Sequence, residues 1–558
     1  MSKEEFEELN VFGFYQKRLS LLLLLSTIPS CALTFRFLFT LYEPEFHCDV
    51  PSALSENYLN VTKSKYEYLL NSTVPWTTDD KQELVRSECS NYDVSDIDFL
   101  TNKSGTVWLV NRTLPCKQWR FAQDGVSALT EFKFVCERAW MKPFSFTIYA
   151  VGKMCGTFAI GPTSDKFGRR VVFLATLASQ FLVALLMSFS PTASMYMSIL
   201  FFTGATDVVY SAAFSLGIEF ASTKKRTFIT FCCQMGFSLG FLVLTFLGYF
   251  FRDWRWLLRV FSFSGLLYIP YYWLIDESPR WLKSIGREEE SQRILSKIAK
   301  LNKTHKISSQ DSNELETKLF DSPKNEKENG LKFFELLKLL VKQPVLLKRI
   351  LVVFFAWYCT SLAYFVIGLN TNNLSENRFL NLCVLGLLDI AATAGYYLIA
   401  GKVGRRNSYV YMMLVIALLS AITPFVNQWS TVLVAVMVCV CKFAASLLFT
   451  VIYAHTNELF PTTLRQSIMG MSGVTARIGS LTAPYILFAG DPNKVKTISI
   501  AIGAVLLVSS ALYRFLPKTI NEPLPQTIDD AVAMGRSHVA CFKLRRSKSS
   551  RDEEATMS

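Results

Sequence analysis

Apolar residues in this 558-residue chain fall into long runs rather than into a helical or strand period. Twelve runs stand out, at 19–41, 144–163, 171–190, 194–218, 228–250, 256–275, 349–369, 379–400, 408–426, 430–454, 466–489 and 496–516. Each is about 20 residues, the length of helix that crosses ~30 Å of hydrocarbon. The pattern predicts an all-α polytopic membrane protein with twelve transmembrane helices, called spans 1 to 12 below. Span 1 does not read as a cleavable signal peptide. It is too long, follows an acidic head (Glu4, Glu5, Glu7, Glu8) and lacks a small-x-small cleavage site.

The polar stretches between the runs set the organisation. An even number of spans puts both termini on one side. Lys17-Arg18, Lys166 to Arg170, Lys224 to Arg226, Arg405-Arg406 and Lys543 to Arg546 make that side cytoplasmic by the positive-inside rule. The expected parts are a cytoplasmic N-terminus (1–18), a six-helix half (19–275) with a large outer loop (42–142), a cytoplasmic linker (276–348), a second six-helix half (349–516) and a cytoplasmic tail (517–558). Lys297 to Lys327 reads as a surface helix plus a mobile stretch. The outer loop holds glycosylation sequons at Asn60, Asn71, Asn102 and Asn111. It also holds Cys48, Cys89, Cys116 and Cys136, enough for two disulfides with three pairings open. Asn302 matches the sequon but lies on the side where no glycan is added.

Composition narrows the class. The chain is 51% hydrophobic and 18% charged, against about a quarter charged in soluble domains. Its net charge of +13 sits in loops beside spans, so it marks topology and not nucleic acid. Four histidines without ligand spacing argue against a metal site. No nucleophile, base and orienting group assemble into an enzyme motif.

Two short patterns recur. Ser164-Asp165-Lys166-Phe167-Gly168-Arg169-Arg170 is echoed by Gly401-Lys402-Val403-Gly404-Arg405-Arg406, with the glycines 236 residues apart. Glu219 with Arg226 is echoed by Glu458 with Arg465, 239 residues on. Two unrelated patterns at nearly one offset imply an internal duplication, hence two pseudo-symmetric halves with a site between them. The repeat also serves as a ruler. Lys153, Asp207 and Asp389 each stand 12 residues before Asp165, Glu219 and Gly401, and Arg477 stands 12 after Arg465. At ~1.5 Å per residue all four lie roughly 18 Å from their helix ends, near the midplane. Charges there need partners or a wet cavity. Lys153 and Asp389 are repeat mates and are expected to face each other. The alternative is two buried ion pairs that fix packing, Lys153 with Asp207 being one. Tyr210 shares a helix face with Asp207, as Trp357 does with Tyr364, and Tyr453 is a further candidate. Aromatic faces attract quaternary ammonium groups.

The duplicated signatures resemble those of the major facilitator superfamily. Arg252-Asp253-Trp254-Arg255, Glu277-Ser278-Pro279-Arg280-Trp281-Leu282, Asn457-Glu458-Leu459-Phe460-Pro461-Thr462 and Ala476-Arg477-Ile478-Gly479-Ser480 are similar to solute carrier family 22, the organic ion transporters. The chain looks nearest to the carnitine and organic cation branch. It departs from the pattern at Lys166, at Gly401 where the first copy has Asp165, and at Lys518 in Pro517-Lys518-Thr519.

The resemblance implies a secondary transporter that moves a small organic cation or zwitterion across the plasma membrane by alternating access, without a cofactor, with Na⁺ or H⁺ as a coupling ion to be considered. It implies substrate contacts at Tyr210, Gln234, Trp357, Tyr364 and Arg477. Arg477 stands where cation-preferring members carry Asp, and Asp389 where carnitine-type members are acidic, so two readings stand open: the pair holds both ends of a zwitterion, or Asp389 couples transport to Na⁺ or H⁺. Asp165, Arg169, Arg170, Glu219 and Arg226 form the expected gate, with Arg405, Arg406, Glu458 and Arg465 as their repeat. The alternatives are an organic anion transporter, a sugar porter or a non-transporting sensor. A sugar porter is disfavoured because span 7 reads Trp357-Tyr358-Cys359-Thr360-Ser361-Leu362, without Gln-Gln-Leu-Ser. A monomer or loose oligomer in the bilayer is expected.

Overall fold

The computed structural model describes residues 13–50, 67, 70–71, 73–78, 84–92, 113–122, 125–221, 226–302, 343–369, 377–399, 403–426, 430–460, 462–488, 492–519, 525 and 528–534. Nine helices among these are long and apolar enough to cross a membrane. They cover spans 1, 3, 4, 5, 7, 8, 9, 10 and 12. Spans 2 and 11 are the helices Met141–Phe167 and Thr462–Phe488, rich in Gly, Ser and Thr. Span 6 is segmented into Trp254–Phe263, a 3-10 turn Ser264–Tyr268 and Tyr271–Leu274. Pro270 lacks the N–H that a continuous helix needs there.

The helices exceed the predicted runs where polar residues cap an apolar core. Span 1 begins at Phe14, five residues early, and closes at Phe35. Arg36 separates it from the short helix Phe37–Thr40. Span 4 is not one helix. Ala193–Thr206 ends at Asp207, and Val209–Glu219 starts afresh. The linker helix is Glu288–Leu301, earlier than predicted, because Glu288, Glu289 and Glu290 suit the positive N-terminal end. Residues 303–342 lie outside those described. Asn302 follows that helix and caps another: its Oδ1 accepts from Tyr15 N at 2.9 Å, and its Nδ2 donates to Gln16 at 3.0 Å.

Two compact units are present. The first comprises Met1–Arg36, Ser145–Phe250 and Leu258–Ser558 and holds both repeats. Within it, spans 2 and 4 touch backbone to backbone. A Cβ on Gly152 would come within 2.0 Å of Phe201 O, and one on Gly204 within 2.1 Å of Tyr149 O. Small residues permit this approach, as in other membrane helix pairs.

The second unit comprises Phe37–Phe144 and Phe251–Leu257. It contains three antiparallel pairs: β1 (Phe46–Cys48) with β6 (Trp119–Phe121), β2 (Trp76–Thr78) with β3 (Leu84–Arg86), and β4 (Ser90–Tyr92) with β5 (Thr113–Pro115). Its cysteines pair as Cys48–Cys116 and Cys89–Cys136. Cys48 and Cys116 pack with Val50, Leu70, Val74 and Trp119 into a small core. Glu131 binds Arg255 at 2.6 Å and the Trp254 indole N–H at 2.9 Å. Burial raises the Glu131 pKa, but these donors outweigh it and hold the carboxyl below its ordinary value. Asn71 is exposed, while Asn60, Asn102 and Asn111 lie outside the described residues.

Candidate binding cavity and gate

Asp207 sits where span 4 breaks, at 1% exposure. Discontinuous helices of this kind mark transporter sites at the midplane. Ser30 and Thr34 of span 1 each donate to its carboxylate at 2.8 Å, and Tyr149 OH donates as well. Lys153 completes the shell at 2.6 Å. The Gly152 and Gly204 contacts bring the two helices close enough for this pair. Arg36, 1% exposed, lies over the Tyr149 ring with its guanidinium carbon 4.7 Å from the centroid.

A cavity of about 690 Å³, counting space open to solvent, adjoins this cluster. Both repeats line it, and seven of the expected residues reach it: Lys153, Asp207, Tyr210, Gln234, Tyr364, Tyr453 and Arg477. Phe35, Phe237, Phe365 and Phe449 add aromatic wall. Tyr210 OH donates to Gln234 at 3.2 Å, and the Tyr210 and Tyr453 rings are 6.0 Å apart. Among the described residues no carboxylate pairs with Arg477, and its Nε has no hydrogen-bond partner. Lys153 and Asp207 cancel, so the lining keeps one uncompensated positive charge.

Two expected contacts are corrected. Trp357 is 1% exposed and does not line the cavity. Its indole donates to Thr456 at 3.1 Å and its ring meets Tyr453 edge-on at 4.5 Å, so it backs the wall. Asp389 also lies behind the wall, 3% exposed. It does not face Lys153. It pairs with Lys442 of span 10 at 3.1 Å, accepts from Tyr364 OH at 3.0 Å and from Ser446. The direct zwitterion clamp of Arg477 and Asp389 is therefore absent. Sequence reasoning missed Lys442 and Arg36, although both are ionisable residues inside predicted spans. The ruler came within one turn: 12 residues before Glu458 stands Ser446, and Lys442 reaches the same carboxylate four residues earlier.

The gate residues form ion pairs inside each half. Arg169 holds Glu219 at 2.7 Å and Asp165 at 2.8 Å. Gly168, at φ +101°, turns the chain between spans 2 and 3. There Glu277 accepts from the backbone N–H groups of Arg169 and Arg170, both at 3.0 Å. This carboxylate at a helix N-terminus was not singled out from sequence. In the second half Arg405 holds Glu458 at 2.8 Å, and Arg406 donates to Leu516 O at 3.2 Å. The side chains of Arg226 and Arg465, and Gly401 itself, lie outside the description.

Spans 2 and 11 meet at the ends far from these signatures, where Thr147 Oγ1 and Tyr485 OH are 2.6 Å apart. Nearer the signatures a Cβ on Gly473 would meet Thr157 at 3.7 Å, and one on Gly161 or Gly470 would meet nothing within 4 Å.

Residues 127–528 match the family model described as sugar (and other) transporter. The chain is 31% identical to the organic cation transporter protein of Drosophila melanogaster, over 95% of this chain and 94% of that one. It is 30% identical to the human organic cation/carnitine transporter 2, over 96% and 95%. In fold it resembles the proton:xylose symporter XylE, at a TM-score of 0.55 and 17% identity over 72% of this chain and 92% of that one. The fold and its midplane cavity define a membrane secondary transporter. The chain belongs to the major facilitator superfamily, in its solute carrier 22 branch.

Proposed function

We propose that this transporter carries small organic zwitterions of carnitine type, and related cations, across the plasma membrane. The observation that carries this reading is Arg477, uncompensated in a cavity whose wall also carries the rings of Tyr210, Tyr364, Tyr453 and four phenylalanines. A guanidinium binds a carboxylate through charge-assisted hydrogen bonds. Tyr210, Tyr453 and the phenylalanines can receive a quaternary ammonium at ~2 kcal/mol or more when desolvated. Gln234, bonded to Tyr210, fixes the ring's orientation. The relatives named for organic cation and carnitine transport support the same class. Substrate binding between the halves biases their rocking, with Arg169–Glu219 and Arg405–Glu458 keeping each half rigid at its basic end.

The positive charge at Arg477 favours a second reading, an organic anion carrier. Uptake of carnitine, tetraethylammonium and p-aminohippurate by expressing cells, with and without Na⁺, separates the two. Carnitine or tetraethylammonium is expected to be carried; uptake of p-aminohippurate alone overturns the proposal. Arg477→Ala is expected to raise KM for carnitine roughly tenfold or more and to change that for tetraethylammonium far less.

The remaining features are part of the same proposal: cytoplasmic termini, glycans on the large loop, a monomer or loose oligomer, no enzymatic or nucleic-acid-binding role and no cofactor. Na⁺ or H⁺ coupling is read from the same uptake experiment.

A further inference from the structure

Lys442 is wholly buried and does not line the cavity. Its ammonium lies 3.1 Å from Asp389 and 3.6 Å from the centre of the Tyr364 ring. The Phe241 ring of the first half closes the other side at 5.6 Å. Tyr364 lines the cavity and donates its hydroxyl to Asp389, so a single side chain separates the ion pair from the substrate space. The first half has the mirrored pair, with the lysine on span 2 and the aspartate on span 4. In the second half the aspartate is on span 8 and the lysine on span 10.

We propose that Lys442 determines charge selectivity. It neutralises Asp389, so the positive charge of Arg477 alone sets the sign of the cavity. Its position on the Tyr364 face also uses that ring's electron-rich surface, leaving a substrate ammonium to Tyr210 and Tyr453. Without the lysine charge, Asp389 is an uncompensated anion one ring behind the wall, where low dielectric strengthens its reach. The cavity then favours a cation without a carboxylate. This inference rests on the zwitterion reading above and adds the residue that sets the preference for a zwitterion over a simple cation.

The test is initial uptake of labelled carnitine and tetraethylammonium by wild type, Lys442→Met, Asp389→Asn and Lys442→Met/Asp389→Asn, normalised to protein at the cell surface. Lys442→Met is expected to raise the tetraethylammonium-to-carnitine ratio of kcat/KM about tenfold. The double variant is expected to return the ratio to within about twofold of wild type, because both charges are gone. An unchanged ratio in Lys442→Met overturns the proposal, as does a double variant that keeps the shifted ratio. If Lys442→Met does not reach the surface, the ratio is read on purified protein by ligand-induced thermal shift, with the same two outcomes. A wild type that moves neither probe overturns instead the functional reading on which the inference stands.

Discussion

Glu131 shows how one side chain sets the conditions under which a unit holds. Its carboxyl is tied to Arg255 and to the Trp254 indole within the disulfide-bonded unit. Its folded pKa is depressed, so the bonds stabilise the unit above the carboxyl's unfolded value of ~4.3. That contribution is lost as pH falls through the folded value. Glu131→Gln is expected to speed amide exchange across Ala128–Phe132 at pH 7. At pH 3.5 the difference from wild type is expected to shrink. An equal difference at both pH values would assign the loss to shape and not to charge. At this scale the sequence was legible where an ionisable residue stood at a repeat-measured depth, as for Lys153, Asp207 and Arg477. It was illegible where the partner depended on side-chain reach. Lys442 bonds across to span 8 from one turn away, and no spacing along the chain encodes that turn. Trp357 has the right helix face but points its indole at Thr456.

At the scale of elements, helix contact decides whether a charge pair can exist. Spans 2 and 4 meet through Gly152 and Gly204, where any side chain would strike a carbonyl oxygen. Gly204→Leu is expected to force the helices apart by the width of a side chain and to separate Lys153 from Asp207. A buried pair broken in this way costs about 3–5 kcal/mol. Folded, surface-exposed transporter is expected to fall severalfold, read by surface biotinylation, while Gly161→Leu, in open space, is expected to leave it near wild type. Apolar runs revealed where the spans lie but not their interruptions. Asp207-Val208 breaks span 4 because the aspartate's bonds to Ser30, Thr34 and Lys153 come from other helices. A reading along one run has no access to them. The starts of spans 1 and 7 were likewise short of the structure, because Lys17, Arg18 and Lys348 are helical without being apolar.

For the molecule as a whole, the two halves have to separate at one end and close at the other. Thr147 and Tyr485 join spans 2 and 11, one from each half, at the end away from the signatures. Replacing Thr147 and Tyr485 with cysteines and joining them with a short reducible thiol cross-linker is expected to cut uptake to about a tenth. Reduction is expected to restore it. Full uptake by the cross-linked protein would show that this contact does not open during the cycle. The mirrored charge pairs carry a consequence for the history of the chain. If both halves descend from one duplicated unit, Lys442 is not the inherited mate of Asp207: that position is Ser446, which itself donates to Asp389, and the lysine stands one turn earlier. The two ion pairs are therefore not copies of one ancestral pair; each half has reached a buried, neutral couple at this depth with residues of its own.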